Sequence, residues 1–155
     1  MDLADMKKIL APIDFSECSW TALEAAASLA KKLGATVDVL HVWQPPPYVP
    51  LDAAFAMVGA GPPQTLAAIA EKQANDEMMK FVEQLEQRGF KATHKLFETG
   101  NPATRISEIA KEGNYDLVVI GTHGRSGLKR LLMGSVAERV VRLCERPVLS
   151  VRGPE

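Results

Sequence analysis

The segment from 121 to 135, GTHGRSGLKRLLMGS, leaves the apolar run LVVI and carries Gly121, Gly124 and Gly134, with Arg125, Lys129 and Arg130 between them. Glycine lets a backbone come close to a ligand and adopt positive φ. Clustered cations neutralise phosphate charge. A helix that starts at the end of such a loop offers unpaired N–H groups and the positive end of its dipole to an anion. Together these residues read as a phosphate cradle. A plainer reading competes with it. Ser135 and Glu138 fit a capping box, in which Ser135 caps the helix and Glu138 reaches back. Gly121 and Gly124 then serve as turn residues and the cations as a solvated face. The standard phosphate patterns GxxxxGK[ST] and GxGxxG are absent. The cradle is favoured because it accounts for all these features jointly.

Other chemistry-bearing residues are few. Asp14 closes the apolar run KILAPI. There its carboxylate can accept from ribose hydroxyls or an adenine amine, or orient the first helix together with Ser16. His123 is the one side chain near the loop able to do proton chemistry, and a structural histidine bonded within its turn is the favoured reading. His41, His94 and His123 lack metal-ligand spacing, so no metal site is expected. Cys18 falls in a first helical turn, where a thiol pKa can drop, but it reads as a buried apolar cysteine. There is no G-x-S-x-G elbow, Walker lysine or metal-holding acidic pair. No catalytic residue is therefore assigned, and little or no hydrolysis is expected.

The elements that must hold these residues alternate strictly. KKILAPID (7–14) reads as a strand, followed by a helix capped by Ser16 and stopped at Gly34. ATVDVLHVW (35–43) reads as a second strand, and the Pro- and Gly-rich stretch 44–64 as a long loop. Leu66, Ile69, Ala70, Ala74, Met78, Phe81, Val82 and Leu85 recur at helical spacing up to Gly89. A third strand covers 91–98, and Asn101 caps a helix with Pro102 at its first position. YDLVVIG is a fourth strand. A helix over 134–145 shows the apolar stripe Val136, Val140, Leu143 and Cys144, and RPVLSVR is a fifth strand. This β-α alternation predicts a parallel sheet covered by helices on both faces. Ligands of such sheets sit beyond the carboxyl ends of the strands. Asp14, the residues from Val42, and Gly121 onward are then the expected ligand edge.

With 155 residues, 46% of them hydrophobic, the chain suits one globular domain. Its net charge of −1 gives no pull toward nucleic acid or anionic membranes. Two distant cysteines argue against a disulfide framework. No run reaches the length of a membrane span, and the start of the chain does not read as a signal peptide, so a cytoplasmic location is expected.

ILAPIDFSECS, GTHGRSGLKRLLMGSVAERVV and RPVLSVR together resemble the universal stress protein family, in order and across nearly the whole chain. The spacing of Gly121, Gly124 and Gly134-Ser135 resembles that family's ATP-binding branch. The resemblance implies a single domain over 1–155. It also implies a Rossmann-like three-layer α/β sandwich, with four helices on a five-stranded parallel sheet of order 3-2-1-4-5. The ligand so implied is ATP, with magnesium held through its phosphates. Asp14 then contacts the nucleoside, too far from the phosphates to act as a base, with Pro12 shaping that turn. Val42 offers backbone groups to the adenine edge. Gly121, His123, Gly124 and Arg125 line the sugar and α-phosphate, and Gly134, Ser135 and Val136 hold the outer phosphates. A homodimer through Val148, Leu149 and Val151 is also implied, and a short apolar edge strand has physical reason to pair. The implied function is regulatory, with bound nucleotide setting the state of the protein in a stress response. A slow ATPase or nucleotide-processing enzyme on the same fold, or a binder of AMP or cyclic AMP, is the alternative. The glycine loop and its three cations favour a triphosphate.

Overall fold

A computed structural model describes residues 5–45, 50, 52, 54–55, 64–90, 92–123 and 133–153. Strand β1 (Lys8–Ile13) shows the period-2 logic of the sheet. Ile9, Ala11 and Ile13 join one apolar cluster and Leu10 joins the other, so both faces of the strand are buried. Helix α1 (Glu17–Leu33) follows, capped by the Ser16 hydroxyl, which accepts from the Ser19 N–H. It ends at Gly34, whose φ of 65° is the left-handed conformation a helix stop favours. Ala22, Ala26, Ala27 and Ala30 are buried and small, which lets α1 lie close to the sheet.

Strand β2 (Thr36–Trp43) lies parallel to β1. Two short strands, β3 (Ala54–Phe55) and β4 (Gln64–Thr65), pair antiparallel within the stretch expected to be a loop. The other residues of that stretch up to 63, except 44–45, 50 and 52, lie outside the described residues. Helix α2 (Leu66–Gln87) is capped by Thr65 and buries Ala74, Met78, Phe81, Val82 and Leu85, most of the predicted stripe. Strand β5 (His94–Thr99), helix α3 (Pro102–Glu112), strand β6 (Leu117–Gly121), helix α4 (Ser135–Leu143) and strand β7 (Val148–Val151) complete the chain. Asn101 caps α3, accepting from the Thr104 N–H, with Pro102 at its start.

The sheet runs β5-β2-β1-β6-β7, all parallel. The labels run past five because the β3–β4 pair is counted. With only the five sheet strands numbered in chain order, the arrangement reads 3-2-1-4-5. Helices α1 and α2 pack on one face and α3 and α4 on the other, giving three layers.

Helix α4 departs from expectation in two ways. Its N-cap is Gly134, not Ser135, and among the described residues no side chain caps it, so the capping box of the plainer reading does not form. Glu138 instead reaches Arg142, one turn on, at 3.5 Å. The buried residues of α4 are Ala137 and Val140, whereas Val136 and Leu143 are 38% and 50% exposed. Of the expected stripe, Val140 is buried and Cys144 packs against the same cluster, while Ala137 rather than Val136 takes the inward position of the first turn.

At the amino ends of the strands, Asp38 is buried among polar partners. Its carboxylate accepts from the Tyr115 hydroxyl at 2.7 Å and from the His94 backbone N–H at 3.1 Å, and lies 2.8 Å from His94 Nδ1. Lys8 Nζ is 4.0 Å away. Burial, and then the hydrogen bond to Asp38, push the Tyr115 phenol well above its ordinary value of 10.0. Below that value both folded and unfolded Tyr115 are neutral. Above it the unfolded phenol ionises first, so stability falls as pH rises toward the folded value. Tyr115→Phe is expected to remove that alkaline slope and to cost about 1 kcal/mol at neutral pH. Urea midpoints of both proteins from pH 7 to 11 measure this.

Candidate functional site

Pro12 opens the site. It sits in a central strand yet has no N–H to give, a position where proline is normally refused. Its register partner on the β2 side is Leu40, but on the β6 side the pairing covers only Ile9 with Leu117 and Leu10 with Val118. Beyond Leu10 the two strands part. The gap lies at the centre of the sheet, where the strand order reverses, with β2 on one side of β1 and β6 on the other. Such a crevice is the ligand position of doubly wound sheets.

A cleft of about 310 Å³ fills this gap, at the lower end of the usual range for small-molecule sites. Strand β1 and the turn after it supply Pro12, Ile13 and Asp14. Strand β2 supplies Leu40 and Val42, and α3 supplies Pro102 and Ile106. Strand β6 and its exit supply Ile120, Gly121, Thr122 and His123. Ser19 of α1 and Ser135, Val136 and Ala137 of α4 complete the wall. The wall is mostly apolar, with polar groups at a few fixed points. That composition suits a flat heterocycle with a polar appendage.

Asp14 is held firmly. Its Oδ1 accepts from the Ser16 N–H at 3.1 Å and from the Ser16 and Ser19 hydroxyls at 2.5 Å each. The Ser19 hydroxyl accepts in turn from the Asp14 N–H at 2.9 Å. The carboxylate therefore both lines the cleft and orients the start of α1, so the two readings of Asp14 are not exclusive. The next residue, Phe15, takes φ of 63°, unusual for a side chain of that size. Its ring packs beside His41 and Phe81 on the opposite face of the sheet, 4.6 and 5.8 Å between centroids.

The positive φ expected of the cradle glycines is not found at the two that the structure describes. Neither Gly121 nor Gly134 has positive φ. A Cβ on Gly121 would stand 2.8 Å from Cys18 Sγ, so the glycine lets β6 end against the first turn of α1. A Cβ on Gly134 would stand 3.0 Å from the Thr122 carbonyl oxygen, which accepts the Gly134 N–H at 2.5 Å. Gly134 thus ties the start of α4 to the exit of β6. Gly134 brings no side chain to cap α4, and Ser135, Val136 and Ala137 at the start of that helix line the cleft.

Of the residues singled out from sequence, Pro12, Asp14, Val42, Gly121, His123, Ser135 and Val136 line this one cleft. Gly134 stands directly beside it. Gly124, Arg125, Lys129 and Arg130 lie outside the described residues. Sequence reasoning missed Ile13, Ser19, Leu40, Pro102, Ile106, Ile120, Thr122 and Ala137. Ser19, five residues past Asp14, and Leu40, which alternates with Val42, leave readable traces. Pro102 and Ile106 leave none, since helical spacing does not say what a helix overhangs.

The family model described as universal stress protein family matches residues 6–152. The universal stress protein MJ0531 of Methanocaldococcus jannaschii is 35% identical over 149 residues, covering 96% of this chain and 84% of that protein. Among solved structures, the hypothetical protein MJ0577 superposes with a TM-score of 0.70 at 28% identity, over 97% of this chain and 98% of that one. By sequence that protein, from the same organism, is 30% identical over 154 residues. A universal stress protein solved in complex with cAMP shares the fold at a TM-score of 0.63 and 20% identity, over 95% and 97% of the two chains.

Proposed function

This chain belongs to the universal stress protein family, and we propose that it is an ATP-binding regulatory member whose bound nucleotide sets its state with little or no hydrolysis. One observation carries the reading: the cleft where β1 and β6 part is lined both by Asp14 and by the uncapped start of α4. The first suits the hydroxyl and amine groups of a nucleoside, and the second suits phosphate. Leu40, Val42, Ile106 and Ile120 give the apolar slot an adenine needs. Among the described residues Ser135, the first residue of α4, makes no capping bond, and together with the helix N–H groups it would hold a phosphate oxygen. Magnesium would be held through the phosphates. The glycine loop with Arg125, Lys129 and Arg130 supports a triphosphate over AMP or cyclic AMP.

Slow turnover follows from the same residues. Among the described residues, Asp14 is the one carboxylate on the cleft wall, and its Oδ1 is engaged by three donors. A carboxylate so engaged is a poor base for a water at the far end of a triphosphate. Phosphate release from Mg-ATP is expected at background, unchanged in a Ser135→Ala, His123→Ala pair. Steady release by the wild type that vanishes in that pair would make the protein a slow ATPase instead.

Strand β7 stands at the sheet edge, with Leu149 41% exposed and Val141 and Leu143 of α4 also exposed. An apolar edge invites a second copy, which supports a homodimer through Val148, Leu149 and Val151. Leu149→Lys is expected to shift the protein from dimer to monomer in sedimentation, with its thermal midpoint nearly unchanged at high protein dilution. An unshifted dimer would place the contact elsewhere.

A further inference from the structure

Thr122 and His123 join β6 to the stretch that leads to α4, and both line the cleft. The Thr122 backbone is held on two sides: its N–H donates to the Val151 carbonyl at 2.8 Å, and its own carbonyl accepts from Gly134. Its side chain is therefore placed by the sheet rather than by the ligand. The hydroxyl, in a residue only 8% exposed, stands 2.9 Å from His123 Nδ1. Across the same ring, Nε2 is buried and has no hydrogen-bond partner among the described residues. An orphaned nitrogen of this kind is rare and asks for a reason.

A hydroxyl and a neutral imidazole can share one hydrogen bond in two ways. If Nδ1–H donated to Thr122 Oγ1, the hydroxyl proton would have no acceptor among the described residues. Nε2 would then present a lone pair, which repels phosphate. If the hydroxyl donates to Nδ1, its proton is satisfied, and Nε2 carries the hydrogen. The cleft that this ring lines is where an acceptor for that hydrogen can arrive. We propose that Thr122 is a positioning residue that holds His123 in the Nε2–H tautomer, so that His123 donates a hydrogen bond to a phosphate oxygen of the bound nucleotide. This rests on the nucleotide reading above and adds to it a residue with no direct claim on the ligand.

The test combines a spectrum with a binding series. In nucleotide-stripped protein carrying ¹⁵N-histidine, His123 Nδ1 is expected to resonate as the unprotonated nitrogen and Nε2 as the protonated one. Thr122→Val keeps the shape and removes the hydroxyl. It is expected to weaken ATP and AMP alike by about tenfold, the scale of one charge-assisted hydrogen bond. Thr122→Ser should stay within about threefold of wild type. In a His123→Gln background, Thr122→Val should have almost no further effect, because the group it positions is gone. Thermal midpoints establish that each variant is folded. A protonated Nδ1, wild-type affinity in Thr122→Val, or an equal loss in the His123→Gln background would overturn the proposal. A wild type that binds neither nucleotide would overturn its ligand half along with the function above, while the spectrum judges the tautomer independently.

Discussion

Gly134→Val is expected to weaken Mg-ATP binding at least 100-fold, about 2.8 kcal/mol, while leaving the protein folded. The cause is local crowding. Gly134 has φ of −62° and ψ of 149°, which any residue can adopt, so backbone strain is not the issue. The first atom of a side chain, however, would stand 3.0 Å from the Thr122 carbonyl, and the Gly134 N–H donates to that same oxygen. Valine adds two methyl groups to an already tight contact. Relief requires the start of α4 to move away from the end of β6, and the N–H groups at that start then no longer share a wall with His123. Gly134→Ala, with one carbon to place, should lose about tenfold. Calorimetry gives the affinities and thermal melting the fold. Equal loss of binding and of most stability would mean that the substitution unfolds the sheet edge rather than the site.

Asp38→Ala should lower stability by about 2–4 kcal/mol, read as a shift of the urea midpoint, and leave nucleotide affinity of the folded fraction unchanged. Asp38 is 2% exposed, and Tyr115, whose hydroxyl it accepts, is equally buried. Removing the carboxylate strands that hydroxyl and the His94 N–H, each a loss of roughly 1–3 kcal/mol when buried, and opens a small void besides. Asp38→Asn keeps an acceptor in place and should lose less than half as much. Because Tyr115 and Asp38 share one hydrogen bond, Tyr115→Phe together with Asp38→Ala should cost less than the sum of the two. The site lies at the other ends of the strands, so affinity is the internal control. A loss below 1 kcal/mol would mean that the cluster is solvated in solution.

Periodicity made the architecture legible. Alternation of short apolar runs with amphipathic stretches yields five parallel strands and four helices. The stop at Gly34 and the start at Asn101-Pro102 rest on backbone chemistry that lies within a few residues. The rule that ligands sit at strand ends pointed to Asp14, Val42 and Gly121, which share one cleft, and the family resemblance added Pro12 beside them. What stayed hidden depends on contacts between distant residues. A capping box is a pattern of four residues, but the α4 cap is decided by the tie from Gly134 to Thr122, which no local pattern records. Asp38 reads as an ordinary strand residue until Tyr115, 77 positions away, is seen to bond it. Gly121 reads as a turn glycine, whereas its neighbour is Cys18. The β3 and β4 strands, two residues each, are too short to carry a period at all.

The most direct test of the account is calorimetric titration of nucleotide-stripped protein with Mg-ATP, with AMP and cyclic AMP as competitors. Micromolar or tighter binding of ATP, at one site per chain and stronger than either competitor, is the predicted result. Absence of binding by all three would contradict it. The parted strands and the uncapped α4 would then be features of a loop tied to its sheet, not of a nucleotide site.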